Sequence, residues 1–191
     1  MNIAFETERL SARPPIPDDA MRVTELMQEK DLPWMLGRAP WPYALSDAQT
    51  WITHLADTRT SGTEYAFALH HGEHGLIGSA GMVHAEDDIW EIGYWVGKPY
   101  WKQGYVTEAA QGLLHWAEAE LGITRFISGH IYDNPASGRV LAKLGFKPVG
   151  PIDMYVKGRD CVVHSPRYIR NAPVEVALKN PFADQNPSQT S

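Results

Sequence analysis

A chain of 191 residues, 43% hydrophobic and 21% charged, has the size and composition of one compact globular domain. Its formal net charge of −6 at pH 7 argues against a general nucleic-acid binder, which needs a basic face, and is compatible with a cationic or amine substrate. The one cysteine, Cys161, excludes an intrachain disulfide and fits a reducing compartment. Residues 1–10 are too polar for a signal peptide and no apolar run nears the ~18 residues of a membrane span, so a cytoplasmic protein without a membrane partner is expected.

In chain order, residues 9–13 alternate as a first, edge-type strand, stopped by Pro14, Pro15 and Pro17. Asp18 and Asp19 open a helix through about residue 30, with Ala20, Val23, Leu26 and Met27 inward. Residues 32–45 hold Pro33, Pro40 and Pro42 among Trp34, Met35, Trp41 and Tyr43, a stiff aromatic loop that either caps a core or lines a pocket. Ser46 and Asp47 cap a second helix, to about residue 59, that buries Trp51, Ile52 and Leu55. Antiparallel strands are predicted at 64–70, 76–84 and 89–96. The turn after the first of them, His70-His71-Gly72-Glu73-His74-Gly75, carries three histidines and two glycines; no further ligand pattern accompanies them, and no metal is expected.

The next stretch organises the rest. Residues 90–96, Trp90-Glu91-Ile92-Gly93-Tyr94-Trp95-Val96, are the β-branched and aromatic types of a strand. Gly97, Pro99 and Gly104 then break the pattern, and from Val106 the apolar residues Ala110, Leu113, Leu114, Ala117 and Leu121 share one helical face with it. A helix start presents unpaired N–H groups and partial positive charge, so this loop, with Lys98 and Lys102, suits a phosphate-bearing cofactor. An ordinary strand-to-helix connection with a loop glycine is the other reading. Residues 124–131 form a strand with Phe126 and Ile127 buried, parallel to the one before the helix. Asn134 as N-cap, Pro135 and the Gly145 stop delimit a last helix burying Val140, Leu141 and Leu144. Residues 146–149 and 161–169 close the sheet around a turn at Gly158. The polar, proline-bearing residues 171–191 read as a flexible tail, which leaves a single domain at 1–170.

The order β-α-α-β-β-β-α-β-α-β-β now has a likeness. Glu91-Ile92-Gly93-Tyr94-Trp95-Val96 ahead of Trp101-Lys102-Gln103-Gly104-Tyr105-Val106-Thr107-Glu108-Ala109 resembles the GNAT N-acetyltransferases. Asn134-Pro135-Ala136-Ser137 with Lys143-Leu144-Gly145-Phe146 is similar to the second signature of their Rim-type branch, whose named members acetylate the N-termini of ribosomal proteins. The resemblance implies an α+β fold in α/β/α layers. Its sheet is mixed, mostly antiparallel and six- to seven-stranded, its fourth and fifth strands are parallel and splayed, and about four helices flank it. Acetyl-CoA would be the co-substrate, with no metal, and an amine the acceptor; the chain would be a monomer or homodimer. Tyr94, Trp95 and Val96 would bind the pantetheine arm through backbone groups. Lys102, Gln103, Gly104, Val106 and Thr107 would hold the pyrophosphate, and Asn134 would either contact the cofactor or serve only as N-cap.

Many GNAT enzymes carry a tyrosine seven residues after that asparagine as general acid, where this chain has Leu141. The Rim-like pattern offers Ser137 instead, which could also be a capping residue. Trp101 also departs from the Gln or Arg that the broad family prefers three residues before the central glycine. Glu91 is the candidate general base, or else an exposed sheet carboxylate, with Asp153 in reserve. Trp41 and Tyr43 are expected on the acceptor side. The expected function is acetyl transfer to a primary amine, a peptide N-terminus in the first instance. The alternatives are a small-molecule amine (polyamine, amino acid or antibiotic), a non-catalytic CoA-binding module, or a hydrolase built on Ser137, His130 and Asp133.

Overall fold

The computed structural model describes residues 2–179. Its elements are β1 (Phe5–Glu6), β2 (Leu10–Arg13), α1 (Ala20–Leu26), α2 (Leu45–Ser61), β3 (Glu64–His71), β4 (Gly75–Glu86), β5 (Ile89–Val96), α3 (Tyr105–Leu121), β6 (Arg125–Gly129), α4 (Pro135–Lys143), β7 (Lys147–Val156), β8 (Cys161–Arg170) and α5 (Val174–Ala177). They form one eight-stranded sheet in the order β1-β2-β3-β4-β5-β6-β8-β7. The β5–β6 pairing is parallel and the others are antiparallel.

Alternation along the strands builds two layers on this sheet. Phe67, Leu69, Ile77, Ile92 and Phe126 meet Ala109, Leu113, Trp116 and Ala117 of α3 on one face. Ala68 and Leu76 meet Val23 and Leu26 of α1 and Ala48 and Ile52 of α2 on the other. Fully buried side chains such as Phe67, Leu113 and Phe126 each contribute roughly 1.5–3 kcal/mol by leaving water.

Several expectations shift. The strand at 9–13 is not the sheet edge, because β1 pairs outside it. The first helix ends at Leu26, and the backbone then tightens into i−3 bonds (Gln28 N–H to Glu25 O, Leu32 N–H to Glu29 O). On α3 the buried face includes Tyr105, Ala109 and Trp116, which leaves Val106 half-buried. The strand after α4 is ten residues long despite Pro148 and Pro151. As the outer strand of the sheet, with a register shift between Pro148 and Gly150, it tolerates residues that cannot donate to a ladder. Residues expected in the tail are partly structured: Ala172, Val176 and Ala177 are buried against Ile89 and Ile127. The remainder of that expectation, 180–191, lies outside the described residues.

The feature that positions the site is where β5 and β6 part. Their pairing runs Ile89↔Arg125, Trp90↔Phe126, Glu91↔Ile127 and ends. Beyond it β5 stays in register with β4 as far as Val96, while β6 follows β8 through Ser128↔Tyr168 and Gly129↔Arg167. The buried Ser128 hydroxyl donates to the Ile92 carbonyl (3.0 Å), a side-chain bridge just past the fork.

Candidate active site

The fork opens into a cleft of about 1470 Å³, above the ~300–1,000 Å³ usual for one small ligand, so two can meet in it. On one wall, the Gly97 N–H donates to Ile77 O (2.9 Å), which sets the phase of the β4–β5 ladder. Gly93 and Trp95 turn their peptide groups toward β4, while Tyr94 and Val96 turn theirs into the fork. The expected backbone contact from Trp95 is therefore corrected; its side chain borders the cleft instead. Trp101, the departure from the broad family pattern, donates its indole N–H to the Val96 carbonyl (2.8 Å). The Val96 N–H is left facing the fork.

Below this, two residues in left-handed backbone, Lys102 (φ 63°) and Gly104 (φ 86°), curl the loop onto the start of α3. A non-glycine residue at the second would be strained. No side chain caps that 17-residue helix, so its first amides present donors and partial positive charge. Lys102, Gly104, Val106 and Thr107 all border the cleft, and the donor set fits a pyrophosphate. Gln103 does not border it: its amide donates to Pro99 O (2.9 Å) and its carbonyl accepts from Arg9 (3.0 Å). Arg9, read from the sequence only as the start of the first strand, also pairs with Glu108 at 2.6 Å and lies 4.4 Å over the Tyr105 ring. Burial alone would raise the Glu108 carboxyl, but bonds from Thr7 and Arg9 hold it below the usual range.

Across the fork, Asn134 Oδ1 accepts from the Ser137 N–H (3.3 Å), so its N-cap role is real, and both residues border the cleft. The Tyr94 hydroxyl lies 3.2 Å from Ser137 Oγ. Burial pushes its phenol up to about 12, against the opposing pull of the Ser137 bond. Leu141, in the tyrosine slot, is fully buried in the α3-side core.

A second wall of the cleft lies on the opposite face of the sheet. Glu91 is buried, 8% exposed, which removes the exposed-carboxylate reading. Its Oε1 accepts from Arg167 Nη1 (2.7 Å). Arg167, 2% exposed, also donates through Nε to the Ala177 carbonyl of α5 (3.0 Å). Glu64, likewise buried, is held by Arg38 (3.1 Å) and His54 (3.0 Å). All of these but Ala177 border the cleft, as do Ser165 and Gly93. The 32–44 loop contributes Met35, Leu36, Arg38 and Tyr43; the expected Trp41 does not border the cleft. The sequence reading missed Arg167 and Ser165. The available signal was phase: at period 2 they fall on the same face of the strand as Val163 and Ile169.

The hydrolase constellation does not assemble. Asp133 gives both carboxylate oxygens to Arg159 (2.8 and 2.9 Å), while His130 contacts Ile131 O and the Tyr168 hydroxyl. Asp153 is exposed on β7, paired with His164. Among the described residues no group of three or more His, Cys, Asp or Glu could hold a metal; His71 and His74 stack at 4.6 Å. No helix among them is long and apolar enough to cross a membrane.

Comparison with known proteins agrees with this geometry. Residues 9–147 match the acetyltransferase (GNAT) domain family. An uncharacterised N-acetyltransferase, p20, of Bacillus licheniformis is 26% identical over 156 residues, 80% of this chain and 87% of that protein. The ribosomal-protein-serine acetyltransferase of Escherichia coli K12 is 28% identical over 121 residues, 61% and 68% of the two. In fold, the structure of Mycobacterium smegmatis RimJ in complex with CoA-disulfide matches with a TM-score of 0.77 at 18% identity, over 87% of this chain and 86% of that one.

Proposed function

The chain belongs to the GNAT acetyltransferase family, and on that premise we propose that it acetylates α-amines, peptide or protein N-termini above all, at the expense of acetyl-CoA. Bound acetyl-CoA supplies an acetyl group activated as a thioester. Tyr94 and Val96 hold the pantetheine arm through the peptide groups they turn into the fork. Lys102, Gly104, Val106 and Thr107 receive the pyrophosphate at the uncapped start of α3. The Val96 N–H, not engaged by Trp101, is the donor for the thioester carbonyl.

Glu91 takes the proton from the acceptor amine. The observation that carries this reading is its place: it is the last β5 residue paired with β6, buried, and on the cleft. Ser137 donates its hydroxyl proton toward the leaving sulfur, with the Tyr94 hydroxyl, protonated at neutral pH, 3.2 Å from its Oγ. Deprotonating a lysine amine at pH 7 costs about 4–5 kcal/mol and an α-amine about 1. A base tied to an arginine suits the easier proton. The likeness to a ribosomal-protein-serine acetyltransferase supports the same class.

Thiol release from acetyl-CoA, followed over a panel of N-terminal peptides, lysine derivatives and small amines, tests the reading. Peptides with free α-amines are expected to lead. Glu91→Gln is expected to lower kcat/KM by about 10²–10⁴-fold with acetyl-CoA affinity unchanged. Preference for lysine side chains, or full activity in the variant, would overturn it.

A further inference from the structure

The floor of the acceptor wall holds more polar chemistry than an ion pair uses. Glu91, Ser165 and Arg167 are 8%, 1% and 2% exposed, and all three border the cleft. Glu91 Oε2, Arg167 Nη2 and Ser165 Oγ have no hydrogen-bond partner among the described residues. A buried ion pair is normally compensated at its remaining lone pairs and protons. A polar atom left dry costs about 1–3 kcal/mol, more for a charged group. Two such atoms on one ion pair and a third two residues along the same face of β8, all on residues that border a cavity, suit a ligand with both a donor and an acceptor.

The arginine is held for this purpose. Arg167 reaches Glu91 across β6 at Gly129, its cross-strand partner; a Cβ there would stand 2.7 Å from Nη1. Its Nε is tied to Ala177 O (3.0 Å) and Nη1 to Glu91 (2.7 Å). The guanidinium is thus fixed at two of its nitrogens, and the third is free to donate.

We propose that Arg167 and Ser165 form a carbonyl-receiving subsite beside Glu91, which selects acceptors bearing a carbonyl oxygen on the carbon next to the amine. This rests on the α-amine reading above and gives it a receptor. The amine meets Glu91 Oε2, and the carbonyl of the same aminoacyl unit accepts from Arg167 Nη2 and the Ser165 hydroxyl. A plain alkylamine satisfies the carboxylate and leaves the guanidinium dry. A diamine fares no better. The next buried carboxylate on this face, Glu64, is in register through Val83, about 10 Å away by two strand spacings. Arg38 and His54 already hold it, so a second ammonium finds no unmatched charge.

The test compares alanyl-alanine amide with its alkene isostere, in which a trans C=C replaces the first peptide group, and with 1,4-diaminobutane. Rates are expressed per free amine. The wild-type protein is expected to favour the dipeptide amide over the isostere by about 10- to 100-fold in kcat/KM, the value of a hydrogen bond to a charged group. Ser165→Ala and Arg167→Gln should narrow that ratio to a few-fold by raising KM for the dipeptide, and Arg167→Lys should recover part of it. Acetyl-CoA affinity and thermal unfolding, followed for each variant, separate this from misfolding. If Arg167→Gln does not fold, the wild-type ratio and Ser165→Ala decide. Equal rates for dipeptide and isostere, preference for diaminobutane, or an unchanged ratio in Ser165→Ala and Arg167→Gln would mean that water fills these positions, and would overturn the subsite alone. Absence of thiol release with every amine, with acetyl-CoA still bound, would instead strike the α-amine reading and the subsite with it.

Discussion

The two walls of the cleft are built on different plans. The wall proposed for the cofactor is made of backbone: the peptide groups of Tyr94 and Val96, a loop turned by Lys102 and Gly104, and the bare start of α3. All of it comes from one continuous stretch. The wall proposed for the acceptor is made of side chains, Glu64 from β3, Glu91 from β5, and Ser165 and Arg167 from β8, with Ala177 of α5 behind them. A ligand common to a family can be held by groups every sequence carries. A ligand particular to one protein has to be read by side chains. The difference makes the two walls separable by experiment.

The sharpest separation is expected from Gly104→Asp. A carboxylate opposite a pyrophosphate, added to the strain of a side chain at φ 86°, should weaken acetyl-CoA binding by about 100-fold in calorimetric titration. Two like charges ~4 Å apart at an intermediate dielectric repel by several kcal/mol, so screening still leaves that much. Unaltered affinity would remove the cofactor from this wall.

A smaller effect is expected at the leaving group. Because a thiol of pKa ~8.5 leaves readily, its acid contributes at or below the low end of the usual 10²–10⁴. Ser137→Ala should lower kcat by tens of fold with acetyl-CoA affinity preserved, and Tyr94→Phe should lower it less. A larger loss in Tyr94→Phe would make the tyrosine the proton donor. Lost affinity with intact kcat would reduce Ser137 to a capping residue.

Next in size is Gly93→Val. A Cβ at Gly93 meets nothing within 4 Å and projects from the floor of the cleft, so the added methyl groups occupy acceptor space without a clash. Acceptor KM should rise several-fold while acetyl-CoA affinity holds, and dipeptides with bulky second residues should suffer most. Equal rises for both substrates would show that the walls are not independent there.

The smallest effect concerns the clamp behind the loop. The Glu108 carboxyl is depressed in the folded protein. Its contribution is therefore fully present above the unfolded carboxyl range, near ~4.3, and is lost as pH falls through the folded value. Thermal unfolding of Glu108→Gln should fall below that of the wild type at neutral pH, and the two should converge as the solution is acidified below ~4. Parallel curves would exclude Glu108 as the titrating link.

The strand, loop and helix start of the wall proposed for the cofactor were legible because their signals are local. A change of hydrophobic period from strand to helix, a glycine where the backbone must turn left-handed and an Asn-Pro helix start each involve a few consecutive residues. Even there, the phase of the ladder decided that Trp95 turns its peptide groups away and that Trp101 occupies the Val96 carbonyl. The reach of β7 past two prolines was hidden for a related reason: only its position at the sheet edge makes them tolerable.

By itself, then, the chain's order of apolar periods and turn residues marked most of the elements, their succession and the stretch proposed for a phosphate-bearing ligand, since these follow from torsional preference and near-neighbour spacing; β1, α5 and the full length of β7 were not among them. The tertiary structure alone decided the wall of side chains proposed for the acceptor. Arg167 stands 76 positions from Glu91, and α5 fell within what reads as tail. Their meeting depends on β8 pairing with β6 and on Gly129 leaving room for a guanidinium. Long-range register has no local signature, so a buried charge pair becomes visible only when the strands that carry it are side by side.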